Sequence, residues 1–536
     1  MSVSNVPDPP RLIHLSTAQG RCDPGTLNRK YGVMTSERDS SVAAVILLAA
    51  GSGTRMKSRT SKLLHTLCGR TLLSWSLAAA EGVSPGRLVV VVGHQREQVE
   101  AHLMDIAPTV IRAVQDEPQG TGHAVGCGLD ALGDVSGEIV VTYGDVPLLT
   151  GETLRRLVAT HRQAGNAVTV MTAIVEDPTG YGRILRSGDD VTGIVEHRDA
   201  DDAQRAINEI NSGIYVFDAD VLRRGLAQLT PDNDQKQLYL TDVLGYARAQ
   251  GQRVGAYVET DVWQTEGVND RRQLASLSGE MNRRIVEAWM MQGVTMIDPA
   301  TVWIEAGVSI EPDVELWPGT ILRGATSIGT GAVIGPDTRL TDVEVGEGAE
   351  VLRTEATLAV IGAHATVGPY AYLRPGTQLG QAGKIGAFVE TKNAQIGDGA
   401  KVPHLTYCGD AEIGEGTNIG AGTIFANYDG THKYRTTVGK RSFIGSQSVL
   451  VAPVHIGDDS FVAAGSALTS DVQSGDLAVA RGRQRNIAGW VQSFRNRTPG
   501  GRSAAGQHST EAGHGEESIT PDGNGCTSTE TSNGKE

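Results

Sequence analysis

"VAAVILLAAGSGTRMKSRTSK", residues 42–62, runs from an unbroken aliphatic stretch straight into a glycine-rich loop. Such a run reads as a strand buried on both faces, and the glycines after it as a turn at its carboxyl end. Ligands of open α/β sheets bind at that end, which makes the loop the first candidate site. It misses two phosphate-binding templates at the same residue. As G-x-x-x-x-G-K-[ST], Gly51 and Lys57-Ser58 fit, but Met56 stands where the second glycine belongs. As G-x-G-x-x-G, Gly51 and Gly53 fit and Met56 fails again. What remains is two glycines that let backbone N–H groups approach phosphates closely, with Arg55 and Lys62 supplying charge; Lys57 reads as a surface charge.

Working outward, "RLVVVVGH", "GEIVVTYGD", "AVTVMTAI" and "GIYVFD" read as further strands, with "TLLSWSLAAAEG" and "GETLRRLVATHRQAG" as helices between them. The alternation predicts a mainly parallel, Rossmann-like α/β domain over residues 41–269. Within it, "QDEPQGTGHA" offers an amide, Gln115, able to read a base edge, and a second glycine turn at Gly120 and Gly122. "VVTYGDVPLL" places Asp145 just past a strand, where a Mg²⁺-holding carboxylate stands beside phosphates; an isolated Asp there also serves as an ordinary turn or cap. Leu274, Leu277, Met281, Ile285, Val286, Trp289 and Met290, spaced by three and four, predict one amphipathic linker helix over 270–293.

Past the linker an aliphatic residue followed by glycine recurs at Ile328, Ile334, Val345, Ile361, Val367, Leu379, Ile385, Ile396, Ile413, Ile419, Val438, Ile444 and Ile456. Seven of the twelve gaps are multiples of six, which marks hexapeptide repeats of a parallel β-helix over 294–490. The gap of 19 from Ile419 to Val438 breaks the register, so the segment around "FANYDGTHKYR" leaves the coil. A β-helix needs aliphatics and glycine; it has no need of His404, Tyr407, Asn418, Asn427, Tyr428 and Lys433, which concentrate around that break.

Residues 1–40 are aperiodic, with Met34 offering a second translation start, and the acidic 491–536 is rich in Gly, Ser and Thr; both read as disordered. The formal charge of −15 argues against nucleic acid or an anionic membrane as partner and leaves small molecules. Five dispersed cysteines without a C-x-x-C pair support neither a zinc site nor a disulfide framework. With no run of 18 apolar residues, the chain reads as a cytoplasmic protein.

The set LAAG-x-GTRM, SK-x-LH, Q-x-x-x-x-GTGHA, YGDVPL, GYGRI, IVEH, NSGIY and GVN, followed by the repeats, resembles the bacterial bifunctional N-acetylglucosamine-1-phosphate uridylyltransferase/glucosamine-1-phosphate acetyltransferases across about residues 42 to 490. The resemblance implies that Leu48, Ala49, Ala50, Gly51, Arg55, Lys62, Gln115, Gly120, Thr121, Tyr143, Gly144 and Asp145 hold the uridine nucleotide. Gly182, Glu196, Asn211 and Asn269 would surround the sugar, and Asp145 with Asn269 would take Mg²⁺. In the second domain it implies a left-handed, trimeric coil in which Arg374, Lys392, Tyr407 and Asn418 bind glucosamine 1-phosphate. Ala421, Asn427, Tyr428, Ser446, Ala464 and Arg481 would line the acetyl-CoA groove, with Trp490 near it. Acyl transfer to an amine needs a base near neutral pH, and His404 is the candidate. Cys408 reads as a small buried hydrophobe.

Two weaker readings accompany this one. A pyrophosphorylase whose β-helix only assembles oligomers has no use for His404 or Asn427-Tyr428, and a non-catalytic sensor has no need of Arg55, Lys62 and Asp145 together.

Overall fold

The aliphatic run forms β1 (Ala44–Ala49), every residue of it buried, at the centre of a nine-stranded sheet. The computed structural model describes residues 41–497 except 189, 234 and 235. The expectations for 1–40 and for the tail from 498 onward lie outside the described residues.

On one side of β1 stand β2 (Arg87–Val92) and β3 (Ile111–Val114), and on the other β4 (Glu138–Tyr143), all parallel to it. Beyond β4 the sheet continues through β5 (Val168–Ile174), β6 (Arg183–Ser187), β7 (Asp190–Val195), β8 (Glu209–Asp218) and β9 (Val254–Glu259). Strand β8 is antiparallel to both β4 and β5, so the parallel expectation holds for the strands β1 to β4 and is interrupted beyond them. Helices α1 (Leu72–Glu81), α2 (Arg96–Ile106), α3 (Thr121–Leu132) and α4 (Gly151–Ala164) follow β1 to β4 in turn. In register, Ala49 lies beside Val92 and Val92 beside Val114, which brings the loops after β1, β2 and β3 to one edge.

The linker helix is continuous over Arg271–Met290, its start capped by the Asp270 carboxylate, which accepts from the N–H groups of Arg272 and Gln273. Its apolar residues divide between two cores. Leu277 and Met281 pack with Met56, Leu67, Leu72 and Val268 of the first domain, whereas Val286 and Trp289 join the interior of the repeat region. Between them Asn282 is buried, its amide donating to the Val302 carbonyl at 2.8 Å and accepting from Ile304 N–H at 2.9 Å. That pairing docks the first coil on the helix.

The repeats stack as short parallel strands in an 11-stranded and a 15-stranded sheet. All thirteen aliphatics of the repeat signature are buried in one continuous core. The glycine after each is explained by close approach between coils. A Cβ on Gly414 would stand 2.6 Å from the carbonyl carbon of Gly439, and one on Gly397 2.7 Å from the Glu415 nitrogen. Interior corners are closed by buried hydroxyls, such as Thr423 donating to the Gly420 carbonyl at 2.7 Å and Ser448 to that of Gly445 at 2.6 Å. Successive coils advance 16 to 18 residues from Ile328 to Val345, Ile361 and Leu379, but Ile413 pairs with Val438, 25 residues on. The excess is the loop between Ala426 and Thr436, where the repeat spacing breaks.

Two differences from the sequence reading concern the C-terminal boundary. The last coil strand is Leu477–Ala478, and a separate unit begins at Arg481, so the coil stops short of residue 490. Within that second unit a helix spans Trp490–Arg497, over the first residues of the stretch read as tail; Trp490 and Phe494, four apart, stack with ring centroids at 5.0 Å. Among the described residues no helix is long and apolar enough to cross a membrane.

Met56, the residue that defeated both glycine templates, is 2% exposed in the core shared with the linker helix. Met56→Ala therefore costs about 2–5 kcal/mol in stability, read as a lowered thermal midpoint of the first domain. Lys57→Ala, one residue on and exposed, changes it by about 0.5 kcal/mol or less.

Candidate functional sites

The loop after β1 is shaped by two requirements. Gly53 has φ +58°, and a Cβ there would lie 2.8 Å from the Cβ of Lys62, so the position demands glycine on both counts. A short turn, Thr54–Met56, then drops Met56 into the core and sends the chain back along the sheet edge to Lys62. Together with the residues after β2 this encloses a cleft of about 410 Å³ lined by Ser52, Gly53, Thr54, Lys57, Ser58, Arg59, Thr60, Lys62, His94 and Gln95. Four of these carry basic side chains and four carry hydroxyls, a lining suited to phosphate oxygens.

Lys62 ties the cleft to the rest of the edge. Its ammonium is ion-paired with Asp145, just past β4, and lies 3.5 Å from Oδ1 of Asn269, at the foot of the linker helix. Three residues far apart in sequence thus converge on one point. Asn269 is aimed by its own N–H, which donates to Gln273 Oε1 at 2.8 Å.

The loop's backbone is gripped from α2. Gln98 uses both ends of its amide, accepting from Ser61 N–H at 3.0 Å and donating to the Arg59 carbonyl at 3.1 Å, and Gln95 donates to that same carbonyl at 3.3 Å. Neither glutamine is signalled by any motif, since their role depends only on where α2 packs.

Of the other residues expected on the nucleotide, Leu48 and Ala49 are buried within β1, and the chain opens only at Ala50 and Gly51. Gln115 directly follows β3 and is buried, its N–H donating to the Val92 carbonyl at 2.8 Å. Gly120, with φ +112°, precedes α3; a Cβ on it would lie 2.5 Å from the Leu238 carbonyl oxygen. The Thr121 hydroxyl is engaged by Leu240 N–H at 3.2 Å. Burial, with the nearby Asp145 and Glu196 carboxylates, raises the Tyr143 hydroxyl above its ordinary range, and Gly144 N–H donates to the Leu48 carbonyl. Two expectations shift here. Arg55 is exposed and does not line the cleft, whereas Lys57, read as a mere surface charge, does line it beside Lys62, as does Arg59.

Of the four residues expected around the sugar, Gly182, Glu196 and Asn211 meet, whereas Asn269 stands beside Lys62. Asn211 N–H donates to the Gly182 carbonyl at 2.9 Å, and a Cβ on Gly182 would touch the Glu196 carboxylate at 3.3 Å. Burial raises the pKa of Glu196, and the neighbouring Asp199 and Asp242 add to it. Asn211 is held by the Tyr215 hydroxyl, which donates to its Oδ1 at 2.9 Å.

The second cluster lies on the 15-stranded sheet beside the coil insertion. Asp410 is its hub, accepting from Asn427 Nδ2 at 2.6 Å and Asn393 Nδ2 at 2.8 Å, with Lys392 Nζ at 3.9 Å. Asn427 also reaches the Tyr407 hydroxyl at 3.5 Å, and Arg374 donates to Glu390 at 2.9 Å. Lys433, brought alongside by the insertion, lowers the pKa of Lys392, with burial second. Two ammonium groups side by side favour an anion between them. His404 and Asn418 lie on the 11-stranded sheet instead, so one copy of the chain does not gather the whole expected set on one face.

Ala421, Ser446 and Ala464 stand at equivalent corners of successive coils, two residues after the aligned Ile419, Ile444 and Val462, and form a ladder of small side chains. Tyr428 is exposed on the insertion, its hydroxyl donating to the Gly430 carbonyl at 2.6 Å. Arg481 belongs to the separate C-terminal unit.

A family model for the MobA-like NTP transferase domain matches residues 45–211, and one for the hexapeptide repeat of succinyl-transferase matches residues 435–470. The chain is 55% identical over 466 residues to the Bifunctional protein GlmU of Pseudarthrobacter chlorophenolicus, covering 86% of this chain and 94% of that protein. The protein of the same name from Paenarthrobacter aurescens is likewise 55% identical, over 86% of this chain and 93% of its own length. That of Corynebacterium efficiens is 53% identical over 88% and 98%. The chain belongs to the bifunctional GlmU family.

As a GlmU-family protein it is a bifunctional transferase of UDP-N-acetylglucosamine synthesis, with acetyltransferase and uridylyltransferase activities in one chain, and so serves peptidoglycan formation. Its first domain has the Rossmann-like nucleotidyltransferase fold, and its repeats are consistent with the family's left-handed coil. Asp410 is the residue sequence reasoning missed: in "YCGDAEIG" it looks like any turn aspartate, and its φ of +50° gives it that place. Cys408 is fully buried, its thiol pushed up to about 12 by burial, as expected of a small core residue.

Because Gln98 holds the loop that presents Lys62, Gln98→Ala lowers kcat/KM of uridylyl transfer by about tenfold, the scale of one or two lost hydrogen bonds. Acetyl transfer measured on the same preparation stays unchanged; an equal loss in both would mean general destabilisation.

Proposed function

We propose that uridylyl transfer occurs at the carboxyl edge around Lys62, Asp145 and Asn269, and acetyl transfer on the β-helix face around Lys392, Tyr407 and Asn427. The observation that carries the first assignment is the convergence of Lys62, Asp145 and Asn269 at the mouth of a basic, hydroxyl-lined cleft.

Asp145 and Asn269 offer two oxygen donors to one cation, which suits Mg²⁺, an ion that takes one or two carboxylates and completes its shell with phosphates and water. Among the described residues no group of three or more His, Cys, Asp or Glu forms a metal cage, in keeping with a site the substrates complete. When bound, the metal supplies charge stabilisation at the phosphates. Gln115 and Gly120 hold the uracil, while Gly182, Glu196 and Asn211 hold the sugar. An oxygen of the sugar phosphate then forms a bond to the α-phosphorus of UTP, and the bond to the bridging oxygen of pyrophosphate breaks. No protein nucleophile is required. Lys62, released from Asp145, follows the charge, and Lys57 and Arg59 receive the leaving pyrophosphate.

At the second site the Lys392 and Lys433 ammonium groups and Arg374 take the phosphate of glucosamine 1-phosphate, with Tyr407 and Asn418 on the sugar. Acetyl-CoA lies along the Ala421, Ser446 and Ala464 ladder with Asn427 and Tyr428. His404 accepts the proton of the amine as it attacks the thioester carbonyl, and the thiolate leaves. The division of the site between two sheets supports a homotrimer that completes it between copies. So does the exposed apolar corner beside His404: Tyr370 and Phe388 stack at 5.4 Å, and Leu405, at the same corner one coil on, is 59% exposed. The scaffold-only reading is disfavoured by the Asp410, Asn427 and Lys392 cluster, which a coil does not need for packing.

His404→Ala is expected to lower acetyl transfer by about 10²–10⁴-fold, followed by acetyl-CoA consumption with glucosamine 1-phosphate. It leaves pyrophosphate release from UTP intact. Lys62→Ala has the opposite profile, and its loss exceeds that of Lys57→Ala. A His404→Ala enzyme acetylating at full rate would remove the base assignment.

A further inference from the structure

We infer that His123 is a specificity-determining positioning residue: by accepting a hydrogen bond from the Gln115 side chain, it sets which end of that amide faces the base and so selects uracil over cytosine. The inference rests on the proposed assignment of Gln115 to the base.

The orientation of the amide follows from its partners. Gln115 has one side-chain atom 3.2 Å from the Gly120 carbonyl oxygen, which can only accept, so that atom is the nitrogen, Nε2. The same nitrogen lies 3.2 Å from Nδ1 of His123. Having given one proton to Gly120, Nε2 gives its second to the ring, and His123 is the tautomer protonated on Nε2. That ring proton points toward Cys127 Sγ, 3.7 Å away and a weak acceptor one turn further along α3. Both amide protons of Gln115 are thus used, and Oε1 is left with no hydrogen bond from the described residues.

The Gly120 carbonyl is itself fixed. Leu238 N–H donates to the Gln119 carbonyl at 2.8 Å, and Gly122 N–H to the Leu238 carbonyl at 2.8 Å, which locks the turn on both sides of Gly120. A flipped Gln115 would set its oxygen against the Gly120 carbonyl, and against the Nδ1 lone pair as well unless the ring proton moved there from Nε2 and left Cys127 Sγ. Without His123 only one of those penalties remains. Uracil presents an N3–H donor to an outward carbonyl oxygen, whereas cytosine presents an N3 lone pair, so the locked amide pairs with the first and repels the second.

The test measures kcat/KM for transfer to N-acetylglucosamine 1-phosphate with UTP and with CTP, on the full chain, for wild type, His123→Leu, His123→Asn and Gln115→Ala. Acetyl transfer in each preparation reports the folded fraction. His123→Leu should lower the UTP/CTP ratio about tenfold or more, and Gln115→Ala at least as much. His123→Asn places an amide oxygen near the former Nδ1 and should restore most of the ratio. A wild-type ratio in His123→Leu with a collapsed ratio in Gln115→Ala overturns the role of His123 and leaves the base assignment standing. A wild-type ratio in Gln115→Ala overturns the base assignment and this inference with it. If His123→Leu is inactive with both nucleotides, His123→Ala, which removes the acceptor without bulk, is read by the same criteria.

Discussion

One amphipathic helix belongs to two hydrophobic cores, and the rest of the molecule is arranged around that constraint. Leu277 and Met281 pack on Met56, Leu67 and Val268; Val286 and Trp289 enter the coil interior; buried Asn282 pins the first coil between them. Apolar burial on this scale is the dominant favourable term available to a chain, and here the same helix supplies it to both domains. The helix also reaches the candidate site at its start, since Asn269 immediately precedes its Asp270 cap and lies against Lys62. A shift of the linker would move Asn269 away from Lys62 as well as the foundation of the coil.

Each site is built by the same device, a regular scaffold interrupted once. In the first domain the interruption is the turn that buries Met56 and returns Lys62 to the sheet edge, with the backbone held by Gln98. In the second it is the insertion that lengthens one coil to 25 residues and brings Asn427 and Lys433 toward Lys392 and Asp410. Regular elements satisfy their own backbone hydrogen bonds, so the polar side chains at the interruptions are free to face substrates.

How far these sites were legible in the sequence depended on how local their physics is. The repeat aliphatics could be assigned one by one, because a side chain pointing into a stacked core must be apolar and the glycine after it must admit the next coil. Gln115, Asp145 and Lys62 stood out by their place after strands and glycines. Gln98 and Asp410 carried no such mark, and His123 stood within the GTGHA stretch with no partner named for it: an amide on a helix, a histidine in a helix's first turn and an aspartate at a corner are ordinary until their neighbours are known. Arg55 and Lys57 exchanged expectations for the same reason, since a short turn decides which of two nearby cations faces the cleft.

By itself the sequence determined the class of each domain, the linker between them, the break in the coil and the family resemblance, because periodicity and glycine placement are imposed by backbone geometry residue by residue. Only the tertiary structure decided which side chains meet. The joining of Lys62 with Asp145 and Asn269, of Asp410 with Asn427 and Lys392, and of Gln115 with His123 depends on the packing of separate elements. It also decided that Met56 is an anchor, since a loop's conformation is set by what it can bury and no spacing rule records the pocket waiting for it.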